Sequence, residues 1–448
     1  MSVQSLCSSR FTWLSLIGLA MLLRLGVMLQ APERLTADRD LYLGIAREMG
    51  AGHGYSTPGS DPPRATAFRP PLYPLLLLVT GGGAIGVGAL HLLLAGVMVV
   101  ATGLAAMRFA GSDSNSCWTA SLTAAGIVAI DPLLVLYSGQ PMTETLCSCL
   151  SAGLLAVMSC NAQAAESSVC GQRAIRRSIL IGLTWGLCLL ARPTYAAALA
   201  LWLVGSVVIP GSCPGGWSVR LRSGLLVGAV TLGVLSPWVI RNWQVFGHPI
   251  ATTTHGGYTL WLANNPVYYT EVVEGPDIAW SGDSLSGWQT ITQQEMDRHQ
   301  IQGEVAQDRW QSDKARDFIR QNPGRFAQAC MYRATRFWSI WTGRPGDTGL
   351  PAAALWAIAI GYAVLWFAGI FATSQAVLHR QWQLLLATGS LILGFFLVHL
   401  VYWTDARMRA PIMPAIAVLI AVGLPRAFQS CRSRKPTPEY SKASDHSA

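Results

Sequence analysis

Charge is scarce in this chain: 12% of its 448 residues are Asp, Glu, Lys or Arg, against 51% hydrophobic, and mean hydropathy is +0.36. That balance excludes an ordinary soluble protein. The ten cysteines form no disulfide framework. Cys117, Cys147, Cys149, Cys160 and Cys188 fall in apolar runs or at their ends, where cysteine acts as a small hydrophobe. Cys147-Ser148-Cys149 has neither the spacing nor the companions of a zinc site. The eight histidines include no pair at metal-ligand spacing, and no carboxylate cluster demands a divalent ion, so neither metal nor cofactor is expected. An internal repeat of the kind that marks many secondary transporters is also missing.

What is present is a succession of apolar segments about long enough to cross a bilayer. The net charge of +9 falls in basic clusters between them, the pattern of the positive-inside rule rather than of a nucleic-acid groove. The expected architecture is an all-α polytopic membrane protein with about ten transmembrane helices and both termini inside. The spans are 11–30, 84–108, 117–137, 142–160, 178–191, 194–210, 223–240, 351–372, 381–401 and 410–425. Arg24 interrupts the first apolar run, which argues against a cleaved signal peptide and suggests snorkelling or pairing inside the bundle. Leu72–Val79 is too short to span and reads as an interfacial or re-entrant helix.

Four regions follow. Residues 1–242 form an N-terminal membrane region with a polar first loop, 31–69. Residues 243–350 form an extracytoplasmic loop subdomain, with turn signals at His255-Gly256-Gly257 and Asn264-Asn265-Pro266 and a polar helical pattern around 292–320. Residues 351–425 are C-terminal membrane helices, and 426–448, with Arg426, Arg432, Arg434 and Lys435, are an expected disordered cytoplasmic tail. The charge rule sends 31–69, 137–144, 192–193, 241–350 and 402–409 to one outer face.

That face concentrates the groups with chemistry. In the first loop, Asp38 and Asp40 precede an amphipathic helix signal, with Tyr42 four residues after Asp38 and so on its helical face. Either acid can serve as a general base or simply cap the helix. Arg69-Pro70-Pro71 closes the loop. Glu144 sits at a mouth between two spans, where it can also just start a helix. Arg192-Pro193, Arg241 after Pro237-Trp238, and Arg407 with Arg409 place guanidiniums at other span ends. Charges there are costly unless paired, which favours a phosphate partner; interfacial anchoring is the plainer role. Asp131 before Pro132 is an intramembrane acid best placed to cap a kink. A carboxylate and several arginines at a membrane surface suit a substrate with an anionic head and a lipid tail.

The ordered motifs Asp38-x-x-x-Tyr42, Arg69-Pro70-Pro71-Leu72-Tyr73-Pro74, Tyr137-Ser138-Gly139 to Thr143-Glu144, Ala191-Arg192-Pro193, Pro237-Trp238-x-x-Arg241-Asn242, Asn264-Asn265-Pro266 and Arg407-Met408-Arg409-x-Pro411-x-x-Pro414 cover nearly the whole chain. Together they resemble the GT-C superfamily of membrane glycosyltransferases, particularly bacterial relatives of protein O-mannosyltransferases and aminoarabinose transferases. The resemblance implies a polyprenyl-phosphate sugar donor bound from the extracytoplasmic side of the (inner) cell membrane. The acceptor would be a glycan, lipid or protein hydroxyl, attacked with inversion. It implies a first-loop aspartate as base, falling on Asp38, or on Asp40 if the register shifts. Arg69, Arg192, Arg241 and Arg407 are the candidate phosphate ligands, with Tyr42 and Glu144 as further candidates. Aminoarabinose transferases have Asp-Glu where this chain has Asp38-Arg39, and Lys where it has Arg69, so their acceptor does not carry over. The lack of a large soluble domain argues against an oligosaccharyltransferase. The competing expectations are a flippase for an anionic lipid-linked molecule, using the same arginines without dependence on Asp38, and a structural membrane subunit.

Overall fold

The computed structural model describes residues 3–111, 113–161, 171–275, 280, 282–342 and 350–433, with the side chains of 3–10, 161 and 425–433 outside that description. Among the described residues the chain is all helical apart from one isolated antiparallel bridge, Ser56 to Ala65. The N-terminal half begins with α1 (Val3–Gln30), then the short first-loop helices α2 (Tyr42–Gly50) and α3 (Leu72–Val79), and α4 (Ala84–Ala110). It continues with α5 (Ser114–Ile130), α6 (Pro132–Tyr137), α7 (Glu144–Met158), α8 (Gly171–Ala191), α9 (Tyr195–Val208) and α10 (Trp217–Phe246). The loop subdomain holds α11 (Gly256–Ala263), α12 (Pro266–Tyr268), α13 (Asp283–Arg298), α14 (Glu304–Gln321) and α15 (Pro323–Phe337). The chain closes with α16 (Ala352–Leu378), α17 (Trp382–Val401) and α18 (Met413–Ser433).

Seven of the described helical segments are long and apolar enough to cross a membrane: those of α1, α4, α8, α10, α16 and α17, and Ala406–Leu424 around the start of α18. With α5, α7 and α9 they make a bundle whose helices coincide with the ten expected spans. The packing order follows the small residues. A Cβ on Gly394 of α17 would lie 2.5 Å from the backbone of Ala198 in α9, and one on Gly423 of α18 would lie 2.7 Å from the Ala372 carbonyl in α16. Such close approach is how helices associate where no hydrophobic force separates them from lipid. The segment leading into α18 is the most enclosed, 89% of its apolar window being buried, so it forms the axis of the bundle.

Charged groups inside the bundle are tied to backbone carbonyls. Arg24 is fully buried and donates to the carbonyls of Ala20, Val128 and Ala129, joining α1 to the end of α5. Asp131 lies between α5 and α6, accepts the Leu134 N–H at 2.9 Å and receives the Tyr362 hydroxyl at 3.1 Å. It is a kink cap, as its place before Pro132 suggests.

Four boundaries differ from the sequence expectation. α8 starts within the basic cluster, at Gly171 rather than 178, because arginines at a polar end are good helix formers. α10 runs through Pro237 to Phe246. Proline leaves the Gly233 carbonyl without its helical donor, and the Ser236 hydroxyl donates to it at 2.8 Å. The polar pattern around 292–320 is two helices, broken at Gln300 and Gly303, both with positive φ. α18 continues to Ser433; the remainder of the expected tail lies outside the described residues.

Between α11 and α16 a second buried cluster, mostly aromatic, holds Tyr268, Tyr269, Val272, Trp280, Trp288 and Ala329, with Trp403 packed on it. Asn265 caps the three-residue α12 by accepting the Tyr268 N–H. Arg333, fully buried, joins this segment to α17 by donating to the carbonyls of Ala263, Leu400 and Val401.

Candidate active site

The expected outer stretches meet at one end of the bundle. The first loop is fastened there by the subdomain. Glu304, the first residue of α14, accepts the hydroxyls of Thr66 and Thr254 at 2.7 Å each and the Ala67 N–H at 2.5 Å. Sequence reasoning passed over Glu304; its only local signal is an acid at a helix start after a glycine. From below, Tyr73 of α3 bonds His91 of α4 at 2.8 Å, and the other His91 nitrogen bonds the Ser138 carbonyl at 2.7 Å.

Within that frame the two first-loop aspartates part company. Asp38 accepts the Leu43 and Gly44 N–H groups at 3.1 and 2.6 Å, so its carboxylate covers the N-terminus of α2. Asp40 points instead to the arginines. Arg69 donates through Nε to the Asp40 carbonyl at 2.8 Å and through Nη2 to Oδ1 at 3.1 Å, while Arg407 lies 3.7 Å from Oδ2. Leu41, which follows Asp40 and leads into α2, has φ 64°, a left-handed conformation that costs a leucine about 1–3 kcal/mol.

Glu144 opens α7 with its side chain only 4% exposed, 3.6 Å from Arg192 and 4.0 Å from Arg407. Arg407 also lies 3.3 Å from Asp405, an acid two residues before it that sequence reasoning did not assign to the site. Three carboxylates and three guanidiniums, from the first loop, α7, the end of α8 and the segment before α18, thus share one site. Several contacts are long: Glu144 Oε2 and Arg192 Nη1 are buried without a hydrogen-bond partner. Buried polar groups are rarely left so. The remaining neighbours are soft or neutral. Arg192 meets the sulfur of Met408 at 2.7 Å and Arg407 that of Met142 at 3.3 Å. His399 bonds the Trp403 carbonyl through Nδ1 at 3.1 Å, and its buried Nε2 has no partner.

Tyr42 packs edge-on to Tyr73 beneath the Arg69 guanidinium. Burial pushes its phenol up to about 12, so it stays protonated and can donate but not act as a base. His255, against Phe68, is driven well below the usual imidazole range by burial and by Arg69, and is neutral. Among the described residues no three His, Cys, Asp or Glu side chains gather in a metal-holding group.

Arg241 is not part of this cluster. It donates to the carbonyls of Thr66 at 2.7 Å and Tyr55 at 2.9 Å and stacks on Tyr55, Trp238 and Phe246. It clamps the first loop to α10. Arg241→Ala is therefore expected to cost about 1–3 kcal/mol of stability and to expose residues 31–69 to protease. Melting curves and limited proteolysis check this; an unchanged melting temperature would return Arg241 to the ligand-binding candidates.

No protein-family model matches the chain, nor does any curated protein sequence. Its architecture is similar to that of solved membrane proteins. The oligosaccharyltransferase AglB from Archaeoglobus fulgidus, solved with an inhibitory peptide and a dolichol-phosphate, matches with a TM-score of 0.53 at 11% identity, over 95% of this chain and 51% of that one. The same oligosaccharyltransferase tethered to an acceptor peptide with an NVT sequon matches with a TM-score of 0.53 at 14% identity, over 94% and 50%. ArnT from Cupriavidus metallidurans bound to undecaprenyl phosphate gives a TM-score of 0.43 at 15% identity, over 95% and 81%. The chain spans about half the length of the archaeal protein, and the likeness lies in its helical membrane architecture. Its fold is similar to that of the membrane-embedded half of the archaeal oligosaccharyltransferase.

Proposed function

We propose that this protein is a membrane glycosyltransferase that moves a hexosyl or pentosyl group from a polyprenyl-phosphate donor to a hydroxyl of a glycan, lipid or protein acceptor. The observation that carries this reading is the under-satisfied meeting of Asp40 and Glu144 with Arg69, Arg192 and Arg407. Arg192 and Arg407 are held loosely enough to exchange carboxylate partners for a phosphate. Arginine matches phosphate bidentately and is the stronger partner for it.

In this reading the donor phosphate lies against Arg192 and Arg407. The acceptor oxygen attacks the anomeric carbon opposite the phosphate, the C–O bond to phosphate breaks, and polyprenyl phosphate leaves. Asp40 takes the hydroxyl proton, and the two arginines stabilise the charge growing on the leaving phosphate. One displacement inverts the anomeric configuration. Asp38 holds α2, and with it Tyr42, in place.

The test is the full chain in proteoliposomes with a polyprenyl-phosphate sugar and an acceptor. Release of polyprenyl phosphate with an inverted glycoside supports the reading. Movement of the intact donor across the bilayer without bond cleavage would replace it with flipping. Mass spectrometry of lipid-linked sugars and surface glycans, with and without the gene, then identifies sugar and acceptor. The proposed orientation puts the site on the extracytoplasmic face of the inner cell membrane. Reporters at residues 60 and 300 should read outside, and those at 175 and 435 inside. Opposite readings for 60 and 300 would break the site, since Thr66 bonds Glu304.

A further inference from the structure

A cavity of about 700 Å³ opens at the opposite end of the bundle. It lies between the start of α8, the end of α9, the start of α10 and the start of α17, beside the 211–215 turn, whose Gly211 and Gly215 have positive φ. Arg177 and Arg220 line it, and no Asp or Glu does. Among the described residues neither arginine forms an ion pair, whereas Arg69, Arg192 and Arg407 at the other end each face a carboxylate. Arg220 is held by donating to the Ile209 carbonyl at 2.8 Å, and its Nε is buried without a partner. Ser206, 2% exposed, adds a hydroxyl to the wall. The rest of the wall is mixed: Ser178, Ser223 and Gln383 line it beside Pro214 and Val219, the latter 45% exposed, with Ile181, Trp202 and Val227 buried behind them.

Two guanidiniums without a carboxylate, beside an accessible apolar lining at Pro214 and Val219, call for a ligand with an anion at one end and hydrocarbon at the other. A free anion would leave that apolar lining unused, and a neutral lipid would leave the guanidiniums unpaired. We propose that this cavity is a binding site for an anionic membrane lipid. Its phosphate bridges Arg177 and Arg220, and a chain lies along Pro214 and Val219. Basic pockets between transmembrane helices on the cytoplasmic side have this use. The donor head cannot be the same molecule in the same position. Along α8, Arg177 in the cavity lies about 22 Å from Arg192 at 1.5 Å per residue. The site is independent of glycosyl transfer and stands whether or not the other end performs it.

The full chain in neutral detergent tests this by native mass spectrometry, with phosphatidylglycerol, phosphatidylcholine of matched chains, and inorganic phosphate as probes. Phosphatidylglycerol should be retained about 30-fold more strongly than phosphatidylcholine, the preference expected of two arginines at a lipid headgroup. The substitution Arg177→Gln should remove much of that preference, and Arg177→Gln with Arg220→Gln nearly all of it. Arg222→Ala, outside the cavity lining, should change nothing. Arg220 also holds a backbone carbonyl, so Arg220→Lys, with melting curves, separates lost binding from lost folding: it should keep the fold and part of the preference. Equal retention of the two lipids, or a preference undiminished in a folded Arg177→Gln, Arg220→Gln double variant, overturns the proposal. Inorganic phosphate binding without anionic-lipid preference would make the cavity a free-anion site and overturn it as well.

Discussion

Asp40→Asn should lower sugar transfer about a hundredfold or more, the cost of losing general-base catalysis, while the protein still inserts and folds. Asparagine fills nearly the same space and can still accept from Arg69, but it cannot take up a proton from an attacking hydroxyl. The Arg69 bond to the Asp40 backbone carbonyl persists, so the loop keeps one of its two anchors. Asp38→Asn should behave differently. Asparagine caps helices about as well as aspartate, but its amide keeps only one of the two oxygens that now receive the Leu43 and Gly44 N–H groups. A modest fall in melting temperature with transfer within about tenfold of wild type is expected from the loss of one charge-assisted bond. The check is initial rate under donor saturation for both variants beside their melting curves. If Asp38→Asn abolishes turnover and Asp40→Asn spares it, the base is Asp38. If neither matters, the loop is structural and the transferase reading loses its carboxylate.

These two acids also show where sequence reasoning stops. The ten bundle helices were legible because a bilayer leaves few ways to satisfy a backbone, so length, apolarity and basic turns suffice. The gathering of polar stretches at one end followed from the same alternation. The direction in which each side chain points did not. Asp38 and Asp40 are separated by one residue, yet one carboxylate covers the N-terminus of α2 and the other meets Arg69, a division that only the tertiary contacts set. Arg192, Arg241 and Arg407 look alike in sequence, each closing or following an apolar span. Only tertiary contacts show that Arg241 grips loop carbonyls whereas the other two face Glu144. The lipid cavity was illegible for another reason. It is built from the soft boundaries of two short spans, where α8 starts seven residues earlier than its apolar core and so carries Arg177 into the wall.

Arg407→Ala should produce the other large loss, about a hundred- to thousandfold in transfer, as when one electrostatic ligand to a developing anion is removed. Among the described residues Arg407 is the one guanidinium that lies near acids from three segments: Asp40 at 3.7 Å, Glu144 at 4.0 Å and Asp405 at 3.3 Å. Without it those carboxylates face each other with less compensation, and a donor phosphate entering the site would meet net repulsion. The damage should therefore appear in donor affinity as well as in turnover. Arg407→Lys keeps the charge but not the planar fork, and should recover part of the affinity and less of the turnover. Asp405→Asn removes one of the three carboxylates around Arg407 but leaves the guanidinium in place, and should cost less than Arg407→Ala. The substitutions Arg407→Ala and Asp40→Asn should be strongly non-additive, because residues in one charge network couple by roughly 0.5–3 kcal/mol. Kinetics of the two single variants and the double variant, with donor titrations for each, decide the matter. Additive losses would mean that Arg407 and Asp40 act in separate places. A near-native rate for Arg407→Ala would remove this arginine from the phosphate site and leave Arg192 as its remaining ligand.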